Sequence, residues 1–152
     1  MIRKAQTRDL AAVQACIRAA YEPEAFEIGV RLAPLDTDYA EAIERREVHL
    51  FLDASGTLLG LILFHVEGRI MHLDNVAVPA TSHGRGIGRK LIDYCEEVAR
   101  RLQLQSVELY TNQKLLRNIA IYEHLGYAVA DRRLDEGFQR IFFRKMLQPS
   151  EP

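Results

Sequence analysis

The sequence predicts an α/β (α+β) domain, a mixed, mostly antiparallel central sheet of about seven strands flanked by about four helices. Three observations carry this. Three apolar or alternating stretches follow one another over 48–78 with turn residues between them. A glycine-studded turn at 84–88 then opens an amphipathic helix that leads to a further β-rich stretch. The chain closes on a helix stopped by glycine and two more strand-like runs. At 152 residues and 48% apolar content, a single domain over 1–147 is expected, with 148–152 as a frayed tail.

The elements follow in chain order. Residues 2–6 are extended in character, and Thr7 offers an N-cap with Asp9 in the first turn of a helix. Leu10, Val13, Ile17 and Ala20 share one face of that helix, with Cys16 beside Ile17 toward the core. From Glu22 the pattern loosens around Pro23, Gly29 and Pro34 into a loop, and a short second helix follows from Asp36 through Tyr39, Ala42 and Ile43. Strands are expected at 48–53 and 58–66 around the turn Ala54-Ser55-Gly56, and after Glu67-Gly68 at 70–78, ended by Pro79. The next helix carries Leu91, Ile92, Cys95, Val98, Ala99 and Leu102 on one face and leads to a strand at 106–111. Leu115, Ile119, Tyr122 and Leu125 define the last helix, with Gly126 as its left-handed cap. Strands at 127–134 and 140–146 flank Asp135-Glu136-Gly137.

Charge and cysteine content narrow the function classes. Charged residues make up 27% of the chain and nearly cancel, to a net charge of -1, so no global field points to nucleic acid or a membrane surface. Cys16 and Cys95 lack the spacing of a disulfide framework or zinc clip, and the N-terminus lacks a signal-peptide apolar region, so a cytoplasmic protein is expected. The histidines 49, 65, 72, 83 and 124 show no metal-ligand spacing, and no metal is expected.

The chemistry concentrates at Gly84-Arg85-Gly86-Ile87-Gly88. Here the first amides of a helix lack internal partners, the dipole is positive, and glycine lets an anion approach the backbone. Arg85, Arg89 and Lys90 add cations where a helix otherwise favours acids. A phosphate-bearing ligand is expected. The spacing is not that of a P-loop, and the dinucleotide fingerprint fails at Arg89, although Glu108 stands about 20 residues on.

The segment His83-Gly84-Arg85-Gly86-Ile87-Gly88 resembles the coenzyme A signature of the GNAT family, the GCN5-related N-acetyltransferases, with His83 where the family has Gln or Arg. A second segment, Asn118 to Tyr127, is similar to the family's Asn-x-x-Ala-x-x-Tyr-x-x-x-Gly-Phe/Tyr pattern, with Ala120 one residue early. The resemblance covers nearly the whole chain and implies the GNAT fold, with acetyl-CoA as cofactor and a small-molecule or peptide amine as acceptor. By it, Val76, Ala77 and Val78 line the pantetheine arm and supply an oxyanion-binding N–H. His83, Gly84, Arg85, Gly86, Ile87, Gly88, Arg89, Asn118 and Tyr122 also contact the cofactor, and Tyr122 protonates the departing thiolate.

A base would complete the set. Strand alternation puts Ile70, His72, Asp74 and Val76 on one face, so His72 and Asp74 point the same way. His72 falls near the place where some relatives of the family carry a glutamate base, and a structural histidine fits the same position. Tyr122 likewise shares its helix face with Ile119 and Leu125, as a core tyrosine would. Cys95 reads as core. Seven acids against Arg31 between Glu22 and Glu44 could attract a cationic amine, and a strand over 140–146 at a sheet edge could pair across a homodimer. A non-catalytic acyl-CoA-binding module and a nucleotide binder remain the alternatives.

Overall fold

The computed structural model describes residues 1–135 and 137–148. The described residues form seven strands and four α-helices: β1 (Ile2–Lys4), α1 (Leu10–Ile28), α2 (Tyr39–Glu44), β2 (Val48–Leu52), β3 (Leu58–Glu67), β4 (Ile70–Ala77), α3 (Ile87–Arg101), β5 (Ser106–Asn112), α4 (Leu116–His124), β6 (Ala128–Asp135) and β7 (Phe138–Met146). Hydrogen bonding orders the strands β1-β2-β3-β4-β5-β7-β6. The pairs β1/β2, β2/β3, β5/β7 and β6/β7 are antiparallel, and β4/β5 is parallel, as a helical crossover requires. The predicted fold class and element order are those observed.

The chain forms two compact units. Unit 1 is Met1–Phe64 with Asn75–Cys95; unit 2 is His65–Asp74 with the chain from Glu96 onward. In unit 1, Val13, Cys16, Ile17 and Tyr21 of α1 are buried, as are Leu50, Leu61, Ile62, Leu91, Ile92 and Cys95. The helix period turns one face of α1 inward, whereas the neighbours Leu61 and Ile62 lie on opposite faces of β3, which is buried on both sides over 59–64. In unit 2, Met71, Leu73, Val107, Leu109, Ile141 and Phe143 play the same part.

Several expectations change. Helix α1 runs through Pro23 to Ile28 and is closed by left-handed Gly29 at φ 73°, so no loop begins at Glu22. A proline removes one N–H donor, and the good helix formers Glu24 and Ala25 carry the helix past it. Thr7 is no N-cap. It lies in a 3₁₀ turn, where Asp9 accepts from the Gln6 amide at 2.7 Å and from Arg3 at 2.8 Å. These bonds hold the Asp9 carboxyl below its ordinary range, the Arg3 bond most of all. Asp38 caps α2, accepting from the Glu41 amide at 3.1 Å.

Leu102 is 55% exposed, because α3 ends one residue before it. Strand β7 is interior, between β5 and β6, so β6 and not 140–146 forms the edge. Gln148 is exposed beyond β7, and the rest of the expected tail, 149–152, lies outside the described residues, as does Glu136 of the last turn. Among the described residues no helix is long and apolar enough to cross a membrane.

Candidate functional site

In unit 1 the site is made of main chain. Gly84 and Gly86 adopt left-handed φ of 80° and 71°, and a Cβ at either would meet nothing within 4 Å. The glycines are therefore required by backbone conformation, and the space above them is open. The first helical bond of α3 is from the Lys90 amide to the Gly86 carbonyl at 3.1 Å, which leaves the amides of residues 87–89 as first-turn donors. Ile87 is buried and anchors the turn, while Arg85 and Arg89 are exposed. Lys90 lies 5.8 Å from the centroid of the Phe51 ring. Asp53 sits below the ordinary carboxylate range, through the Ser55 hydroxyl first and backbone amides, with a contribution from the charge of Arg85. The turn fits a phosphate-bearing cofactor by its open glycines, its helix dipole and its cations.

Packing holds the strand exit against this turn. A Cβ on Gly60 would come within 3.1 Å of both the Ala77 carbonyl and Ile87 Cγ2, so glycine is needed for β3 to approach so closely. Ala77 is fully buried, and Val76 and Val78 are half-buried. The Tyr21 hydroxyl donates to the Val76 carbonyl at 2.7 Å, and His83 Nε2 donates to the Val78 carbonyl at 2.8 Å. A carbonyl only accepts, so His83 carries its proton on Nε2. His83 thus folds back on the strand that precedes it. Burial pushes the Cys16 thiol up to about 12, which leaves it without nucleophilic character.

In unit 2 the predicted site residues are side chains in two groups. Strand β4 alternates as expected, with Met71 and Leu73 buried and His72 and Asp74 toward the more open face. Asp74 Oδ2 lies 2.7 Å from His65 Nδ1, and the His65 and His72 rings stack at 5.2 Å. His72 Nε2 is 3.4 Å from Glu67 Oε2. Burial raises the Asp74 carboxyl, against the His65 hydrogen bond that lowers it. His65 was missed from sequence. The signal was present, because a two-residue turn at Gly68-Arg69 places positions 65 and 72 opposite each other across the hairpin.

The second group is aromatic. Tyr122 of α4 is buried, its ring 5.9 Å from those of Tyr127 and Phe143, and Asn118 stands one turn earlier, half-buried. Gly126 closes this helix at φ 92°, as expected. Behind it, buried Glu96 accepts from the Tyr127 hydroxyl at 3.0 Å, Lys145 at 2.9 Å and Arg100 at 3.4 Å. Lys145 also donates to the Leu125 carbonyl at 2.8 Å, which ties down the end of α4.

Comparison with known proteins gives the lineage. The model of the Acetyltransferase (GNAT) family matches residues 12–127. An uncharacterized protein of Bacillus subtilis strain 168, YdhI, is 27% identical over 79 residues, which are 52% of this chain and 48% of that protein. The chain spans about half the length of that curated relative. Among solved structures, the PaiA N-acetyltransferase of Thermoplasma acidophilum in complex with coenzyme A superposes with a TM-score of 0.80 at 16% identity, over 96% of this chain and 98% of that one. The ribosomal-protein-S18-alanine N-acetyltransferase of Escherichia coli does so with a TM-score of 0.79 at 18% identity, over 99% and 96%.

Proposed function

Because the chain belongs to the acetyltransferase (GNAT) family, we propose that it is an acetyl-CoA-dependent N-acetyltransferase, passing the acetyl group directly to a primary amine in a ternary complex. The observation that carries the reading is the open turn at Gly84 and Gly86, left-handed and seated at the start of α3 in the segment that joins it to β4. Acetyl-CoA, when bound, supplies the thioester. Its phosphates fit the amides of residues 84–89 with Arg85 and Arg89, and its pantetheine fits Val76, Ala77 and Val78.

The chain's own groups then divide the work. Backbone N–H of the 76–78 segment suits the thioester carbonyl as negative charge develops there. Tyr122 is the acid for the departing thiolate, with Asn118 beside it on α4. His72 is the base for the amine, and its stacking on His65, itself bonded to Asp74, fixes the imidazole's plane. The acceptor is an amine of a small molecule or a peptide, and the acids of Glu22 to Glu44 favour a cationic one. Residues 1–147 work as a single catalytic domain in the cytoplasm, either as a monomer or as a homodimer.

A thermal-shift comparison tests this first. Coenzyme A is expected to raise the melting temperature; stabilisation by NAD or ATP with none by coenzyme A would overturn the reading. A panel of amines and peptides with acetyl-CoA, followed by thiol release, then separates an enzyme from a non-catalytic coenzyme A-binding module.

A further inference from the structure

In an extended strand the N–H and C=O of one residue project toward the same edge, and residues two apart share that edge. Val76 presents its polar groups at one edge of β4, and Val78 follows one residue past the strand's end. Both of their carbonyls are already engaged by side chains from other elements, Val76 by the Tyr21 hydroxyl of α1 at 2.7 Å and Val78 by His83 Nε2 at 2.8 Å. Ala77 projects the other way, and its carbonyl lies 4.0 Å from Cys16 Sγ, five residues before Tyr21 and, like it, buried on α1.

We propose that Tyr21 is a positioning residue, which holds the Val76–Ala77 peptide plane so that this edge of β4 offers amide donors, and not competing carbonyl acceptors, to a thioester oxygen. The inference rests on the acetyltransferase reading. Its physics is simple. An uncapped carbonyl dipole beside a donor site repels the negative charge that the donors are there to stabilise, and a hydrogen bond to that carbonyl weakens the repulsion while fixing the plane. Tyr21 does this from a helix, with its ring 5% exposed, so the hydroxyl is held by packing. His83 completes the same edge, which gives the residue at the head of the glycine motif a task toward the strand.

The test is Tyr21→Phe, which keeps the ring and removes the donor. Steady-state kinetics should show kcat lowered about tenfold, the scale on which orienting partners act, with KM for acetyl-CoA unchanged within about twofold. In the cofactor-free protein, the Ala77 amide resonance should shift and the amides of residues 75–78 should exchange faster. Tyr94→Phe is the control, because that ring packs on His49 of β2 and Phe64 of β3. It should leave both kcat and the Ala77 resonance unchanged. Unchanged kcat and an unchanged Ala77 resonance in Tyr21→Phe would overturn the inference, as would a loss confined to KM. If Tyr21→Phe does not fold, the wild-type protein decides. A Tyr21 hydroxyl proton in slow exchange, with a Val76 carbonyl-carbon shift typical of a strong acceptor, supports the clamp, and a rapidly exchanging one refutes it. A wild-type protein that turns over no amine, with the Ala77 resonance still moved by Tyr21→Phe, would overturn the acetyltransferase reading instead and leave the clamp as architecture.

Discussion

The two units handle buried polarity in opposite ways. In unit 1, His49 is 3% exposed, stacked on Phe64 at 4.4 Å, and its Nδ1 has no hydrogen-bond partner among the described residues. Burial, helped by the charge of Lys4, pushes its imidazole down to about 4, so it stays neutral. In unit 2, Glu96 is equally buried and meets three donors, from Tyr127, Lys145 and Arg100. The parts assigned by the proposed function differ in a parallel way. Unit 1 presents backbone, at the glycine turn and the exit of β4; unit 2 presents side chains, at His72 and Tyr122. A main-chain site needs only packing behind it, whereas a side chain placed for chemistry needs its own element pinned, and the Glu96–Lys145–Leu125 chain does that for α4.

The sharpest way to break this contrast is Glu96→Ala. It leaves Lys145, Arg100 and the Tyr127 hydroxyl without their shared buried acceptor and should cost about 3 kcal/mol in urea unfolding, since both cations keep some contact with water. The pair of changes Glu96→Leu with Lys145→Met should recover most of that. If Glu96→Ala costs under about 1 kcal/mol, the network does not anchor α4.

The counterpart in unit 1 is a pH effect. His49 binds a proton less readily folded than unfolded, so its contribution to stability is complete above the unfolded value near 6.5 and is lost as pH falls toward 4. The loss should reach about 3 kcal/mol across that window. Urea unfolding at steps from pH 7.5 to 4.5 measures it, and His49→Phe should flatten the slope. A slope identical in the variant would show that other groups carry the acid sensitivity.

A smaller energy, with a larger functional signature, attaches to Tyr122. Tyr122→Phe should lower kcat about a hundredfold, near 2.7 kcal/mol, with little change in KM for acetyl-CoA. Unaltered turnover would make Tyr122 a core ring like its neighbour Phe143.

These differences also explain what could be read in advance. The strand–turn–helix around Gly84 to Gly88 was legible because backbone conformation is local, and glycine is the residue that tolerates φ of 70–80°. His72 and Asp74 were placed on one face correctly, by the period of a strand. Their partner was not found, since His65 comes from β3 and the pairing depends on hairpin register. Tyr21 gives no such signal, because the helical pattern loosens from Glu22, just past it; its target, Val76, lies 55 residues away.

The sequence by itself determined the element order, the glycine turn before α3 and the family, since these rest on periodicity, glycine and short-range spacing. Tertiary structure alone decided which strand forms the edge, that Leu102 faces solvent, and which side chains cap the carbonyls of β4 or meet Glu96. Such pairings join residues tens of positions apart, and no local preference encodes a contact that exists only once the whole sheet has assembled.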